Sequence, residues 1–431
     1  MVATGPFLTE LDGRAIIKGS RDPLGVQQIW TKLGRRVIGN LTTVSNSLRD
    51  FTTLLIGLYL AEASSEGAQT SAELPTFLRW EQLAGYARGH VNGDWGFRGT
   101  ERVSANLVGS RVQTLSINGK GPILSDQKTY GLWGLYTVPA RLSGLVDADA
   151  SRLTPVARDF VERHYVPKLS LQGQGLKPLL TLIQKDPVAI RVEGSALVAA
   201  VGSALNQKKL SKAELAFYRE HLIQGGPNDA THGIQTLLER AMADTLPRTD
   251  FRWSPAEVHQ LTQHADRLGE QGQDLAHRLQ QILHCEAVIA PISRLFTHLL
   301  GKHDVLVGEV ASQIQASWGK GAGTMDAEAF STLRPFLPTT EAGSADQWIR
   351  IASLAETGDY AGLVTEMVAM NRSVMAARGG AAWVQISDGA LQVSFQEEQG
   401  RLPGGDELPT QWRHPYFLDS LRAMAIPLRE R

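Results

Sequence analysis

The chain has 431 residues, of which 42% are hydrophobic and 20% charged, the balance of an ordinary soluble globular protein with material for two to four cores. A formal net charge of −1 leaves no whole-molecule attraction to nucleic acid or anionic membrane. The single cysteine, Cys285, excludes an intramolecular disulfide and any cysteine-rich zinc module, and it fits a reducing cytoplasm.

Residues 1–21 mix Gly, Thr and charge without a period and read as an arm; they lack the apolar core of a signal peptide. Asp22–Gly39 reads as an amphipathic helix with Leu24, Ile29, Leu33 and Val37 apolar, and Lys32, Arg35 and Arg36 form the most basic local cluster. Leu41, Val44, Leu48, Phe51, Leu55 and Leu58 then recur at alternating spacings of three and four, which predicts a buried helix of about six turns. Its most apolar run, Leu54 to Ala61, is far shorter than a membrane span, so a cytoplasmic protein with no membrane partner is expected.

After a loop over Ser64–Ser71, a helix is predicted from Leu74 or Thr76 to about Ala87. The glycine-rich loop Gly89–Gly99 breaks it and carries His90, Asp94, Trp95 and Arg98. A helix over 100–109 and a strand over 111–117 follow; Arg98, Arg102 and Arg111 form a modest basic patch there. In Pro122–Tyr165, Ser125 stands as an N-cap, Leu132, Leu135 and Tyr136 recur at helical spacing, and Pro139 suits the start of a second short helix. Gly144 reads as the C-cap, Leu145-Val146 and Arg152-Leu153 as a short strand pair around an acidic turn, and Thr154-Pro155 as the start of a helix burying Val156, Phe160 and Val161.

From 167 to about 300 the pattern is helix upon helix, ending in a long amphipathic helix from Ser254-Pro255 with a break at Gly269 or Gly272 and a kink or join at Pro291. Its histidines lack the i,i+4 spacing of a zinc site: His259 and His264 are five apart, His277 and His284 seven. Gly319–Thr324 lacks the phosphate-loop consensus and reads as a linker. Ser344 with Gln347 makes a capping box, and Trp383–Phe395 reads as a hairpin turning at Asp388-Gly389. The segment from Trp412 reads as a closing helix that Pro415 helps to start, with Phe417, Leu418 and Leu421 inward.

The expected fold is therefore mainly α and multi-helical, with a winged-helix-like module and a C-terminal β-hairpin packed on helices. The expected regions are 1–110 helical, 111–166 winged-helix-like, 167–338 helical, and 339–431 helical with the hairpin.

The order of short helix, Gly-Leu-Val, acidic turn, Arg-Leu-Thr-Pro and long helix in 122–165 resembles the wing region of winged-helix proteins, which implies a recognition helix ahead of Gly144. Nucleic-acid contact would then fall to Arg35, Arg36, Arg98, Arg102, Lys128, Arg141 and Arg152, against which Asp147 and Asp149 stand at the turn. The stretch Asp22–Leu55, with Gly131–Val146, resembles bacterial helical proteins of multi-gene anti-phage defence loci. That resemblance implies partners from the same locus, such as a helicase or nuclease, and a role beside DNA.

No GxSxG, HExxH, Walker A, GxGxxG or paired-cysteine signature occurs. The expected function is a non-catalytic subunit of a multi-protein complex contacting partners through Trp95, Trp383 and Trp412, with no metal and no cofactor. Two alternatives stay open: a winged-helix DNA binder, and an enzyme of unrecognised class (nuclease or hydrolase) using His90 and Asp94.

Overall fold

A computed structural model describes residues 22–65, 73–171, 173–208, 210–246, 252–339, 343–395 and 400–429. The arm expected over 1–21 lies outside them, as does most of the expected loop Ser64–Ser71. The protein is mainly α-helical. Its sheets among the described residues are two antiparallel pairs, Val112–Leu115 with Val188–Arg191 and Val384–Ser387 with Ala390–Val393. The described residues form two compact units: the first takes those from 22 to 37 and from 240 to 416, the second those from 38 to 239 and from 417 to 429. The boundary expected near 338 falls inside the first unit, and those near 110 and 166 inside the second.

The second unit is built on the helix Leu48–Ser65, which packs against Glu73–Asn92, Leu132–Leu142 and Pro155–His164. This helix begins later than its repeat from Leu41 predicts. The Thr42 amide donates to Ser45 Oγ at 3.1 Å and the Ser45 amide to the Thr42 carbonyl at 3.0 Å, a local turn that competes with helix. Gly57 allows the close approach of Glu73–Asn92, since a Cβ there would lie 2.6 Å from the Phe77 and Trp80 rings.

Two adjacent charges of that helix are buried and paired in different directions. Arg49 donates to Glu214 at 2.8 Å and to the Asn206 carbonyl at 2.7 Å; Glu214 also accepts from Tyr165 and from the Ser211 amide. Asp50 accepts from Arg88, whose Nε donates to Asp94 at 2.7 Å. Burial works to raise the Glu214 carboxyl, but the Tyr165, Ser211 and Arg49 donors outweigh it and hold the group at about 2. Glu81 is the opposite case: burial pushes its carboxyl up to about 7, against the pull of the Leu132 amide and Gln127, while the Asp50 charge adds to the rise.

Over 122–165 the structure departs from the expected elements at four points. Asp126, not Ser125, is the N-cap of the Gln127–Tyr130 turn, accepting from the Thr129 amide at 2.9 Å. Pro139 lies inside the continuous helix Leu132–Leu142, because the break falls at Gly131 instead. The expected strand pair is a single antiparallel bridge, Val146 to Leu153, around a turn in which Asp147 accepts the Asp149 and Ala150 amides. The following helix, Pro155–His164, buries Ala157, Phe160 and Val161 and leaves Val156 exposed. Val188–Arg191, in a region expected to be helical, is a strand paired with the predicted strand at Val112–Leu115.

The first unit is organised by the helix Glu270–Leu299, which packs against Val26–Arg35, Pro255–Asp266 and Ala327–Ser331. The expected break falls at Gly269, and Pro291 sits buried within the helix. The hairpin turns at Asp388 and Gly389, both with positive φ, as its Asp-Gly turn requires. A two-stranded hairpin is marginal alone; here Ala390 bridges to Leu306, and Leu391 exchanges hydrogen bonds with Asp304 and Val305, adding a short third segment. Tyr416 and Phe417 have positive φ, so the last helix starts at Leu418 rather than near Pro415.

Arg49→Met leaves Glu214 with Tyr165, the Ser211 amide and the half-exposed Lys168 ammonium 3.6 Å away, and should lower unfolding free energy by about 3 kcal/mol in urea titration. The Glu81 carboxyl titrates higher in the folded chain than its ordinary value of 4.5, so the unfolded chain loses its proton first. Stability should fall by about 3 kcal/mol as pH rises from about 4.5 to about 7, then level off. Equilibrium unfolding across that range should show a flatter slope for Glu81→Gln than for the parent chain.

Candidate binding cleft of the first unit

The helix Glu270–Leu299 buries a stripe of Leu275, Leu279, Ile282, Glu286, Ile289, Ser293 and Phe296 at spacings of four and three. A carboxylate on such a stripe must be hydrogen-bonded. Glu286 Oε1 accepts the backbone amides of Arg413 at 2.5 Å and His414 at 2.9 Å; Oε2 accepts the Tyr416 hydroxyl at 2.8 Å and His414 Nδ1 at 3.0 Å. One side chain thus pins the segment 413–416. Trp412 packs on the Tyr416 ring at 5.5 Å, and Trp30 meets the same ring edge-on at 6.4 Å.

Beside this clamp lies a cavity of about 380 Å³. Trp30, Phe296 and Trp383 supply aromatic wall, while Ser293, Thr297 and His414 are polar lining groups. Asp22 also lines it, but its carboxylate accepts the Val26 and Gln27 amides at 2.9 and 3.0 Å and an Arg378 guanidinium bond at 3.2 Å. Asn371 locks two walls together, donating to the Pro23 carbonyl at 3.0 Å and accepting the Trp383 amide at 2.8 Å.

Because a carboxylate only accepts, His414 carries its proton on Nδ1, and in the neutral ring Nε2 is an acceptor. That nitrogen has no protein partner among the described residues. A carboxylate-oriented imidazole is half of an acid–base pair. No activated nucleophile accompanies it in the cavity: Ser293 Oγ donates to the Ile289 carbonyl at 2.6 Å, and Thr297 Oγ1 to the Ser293 carbonyl at 3.1 Å. Cys285 is buried, and burial pushes its thiol far up, away from nucleophilic reactivity. No cluster of three or more His, Cys, Asp or Glu residues suited to a metal ion occurs among the described residues.

Of the residues singled out from sequence, Trp383 is in this cleft and Trp412 borders its clamp. Trp95 lies in the second unit, exposed, its ring packed over Gly89. In the first unit, Arg36 stacks on Phe336 at 4.1 Å and bonds Gln281, while burial lowers the pKa of the Arg35 guanidinium. In the second, Arg98 and Lys128 are exposed, and Arg102 donates to the Pro122 carbonyl at 2.7 Å. Arg141 is half-buried and reaches Ser151 at 3.4 Å; exposed Arg152 stands 3.9 Å from Glu73. His90 is exposed, and Asp94 is held by Arg88, the Gly96 amide and Gln207.

Glu286, His414 and Trp30 do not stand out as site residues in the sequence. The signal that finds Glu286 is the heptad of its helix, in which it occupies a position otherwise apolar. Comparison with protein-family models, with curated proteins and with solved structures finds no match. No helix among the described residues is long and apolar enough to cross a membrane.

Glu286→Ala leaves two backbone amides, the Tyr416 hydroxyl and His414 Nδ1 without their acceptor. The variant should lose about 3 kcal/mol or more, and limited proteolysis should cut near 413–416 well before the parent chain is cleaved there.

Proposed function

We propose that this chain is a non-catalytic helical subunit of a multi-protein complex, and that the first-unit cleft is the seat for a partner. The observation that carries this reading is the pairing of a preformed aromatic cleft with lining hydroxyls whose protons are committed to their own helix. Anchors of protein interfaces are buried in such pockets, where a rigid aromatic wall loses little entropy on binding. The bookkeeping of polar groups elsewhere supports it too: Asp94, the acidic candidate for catalysis, is taken up by Arg88 and its neighbours.

The resemblance of Asp22–Leu55 to bacterial proteins of anti-phage defence loci supports a partner encoded beside this chain, such as a helicase or nuclease, and a site of action in the cytoplasm. The tagged chain should co-purify with the product of a flanking gene. Gln27 is exposed at the cleft, so Gln27→Trp should narrow it without touching the core, leave the melting temperature within about 2 °C, and reduce retention of that partner about tenfold. A monodisperse monomer that retains no neighbouring product, or full retention by Gln27→Trp, would overturn the reading.

A further inference from the structure

The cleft has a chemical polarity that narrows what it can hold. Ser293 and Thr297 each donate their only hydroxyl proton to a carbonyl one turn back, so what they offer a ligand is lone pairs. His414, with Nδ1–H directed at Glu286, offers Nε2 as a third acceptor. Three acceptors set among Trp30, Trp383 and Phe296 match a flat group that carries several N–H donors and a positive charge. Arg413 at the same cavity is exposed and already engaged, so water screens its charge.

We propose that the cleft binds an arginine side chain presented by the partner protein. The guanidinium lies against the indole faces and directs its N–H groups to His414 Nε2, Ser293 Oγ and Thr297 Oγ1. Lysine fits less well, because an ammonium is strongly hydrated and cannot stack. This assignment rests on the reading of the cleft as a partner seat, and it goes further by naming the anchor.

The test titrates the full chain with two blocked peptides, acetyl-Gly-Arg-Gly-amide and its citrulline counterpart, which keeps the shape and loses the charge. Tryptophan fluorescence and indole N–H resonances report binding, to about 10 mM peptide. The arginine peptide should bind at least tenfold tighter than the citrulline peptide. Ser293→Ala combined with Thr297→Val should weaken it several-fold while the amide spectrum stays that of the folded parent. Equal affinity for the two peptides, no binding, or unchanged affinity in the double variant would overturn the proposal. Partner retention that depends on an open cleft would survive those outcomes. Conversely, arginine-selective binding beside full partner retention by Gln27→Trp would sink the partner-seat reading and leave a guanidinium site.

Discussion

A charge taken out of water on a buried helix face must find several hydrogen-bond partners at once, and each unit satisfies that constraint in its own way. In the first unit it is Glu286, whose four donors come from one short segment. In the second it is the neighbouring pair Arg49 and Asp50, which recruit partners from different parts of the chain: Glu214 and the Asn206 carbonyl for one, Arg88 for the other. A buried pair gives little net stability relative to an apolar replacement. What it does supply is intolerance of misplacement, because any other packing leaves a charge unsatisfied.

The two networks also differ in how they close. Around Arg49, Tyr165 and Tyr218 close the network, and burial keeps both phenols from ionising readily against the pull of the Arg49 charge. Around Glu286 the same degree of satisfaction has one opening, since His414 is held by Nδ1 and has a second nitrogen left over. His414 is one of the residues that line the cavity. Under the proposed reading, a polar network that is complete on one side and open at a cavity holds a recognition group rigid before binding, which lowers the entropic cost of the contact.

The fold was legible wherever its chemistry is local. Asp388-Gly389 requires positive φ and turns the hairpin; Thr154-Pro155 starts a helix; Gly144 ends one with φ of 70°. Legibility failed where a distant partner decides. Val188–Arg191 is too short to declare itself and becomes a strand only because Val112–Leu115 offers an edge. The repeat from Leu41 continues past the point where Thr42 and Ser45 close a competing turn, so periodicity overstates the helix. At the cleft, Trp383 could be singled out as an aromatic in an amphipathic strand. His414 could not, because its role depends on a carboxylate more than a hundred residues away in sequence.

The heptad of the long helix shows how such a site can still be read. Glu286 and Ser293 sit seven apart on a stripe that is otherwise Leu, Ile and Phe, and seven residues return to the same face after two turns. A serine on that stripe can satisfy itself by donating to its own helix, so it says nothing about partners. A glutamate cannot, since the helix interior offers it no free donor. It must draw donors from elsewhere in the chain, and free backbone amides are found where regular structure ends. The segment before Leu418, with Pro415 and two positive-φ residues, is such a place. The polar intruder on the apolar stripe therefore implies the irregular segment that answers it.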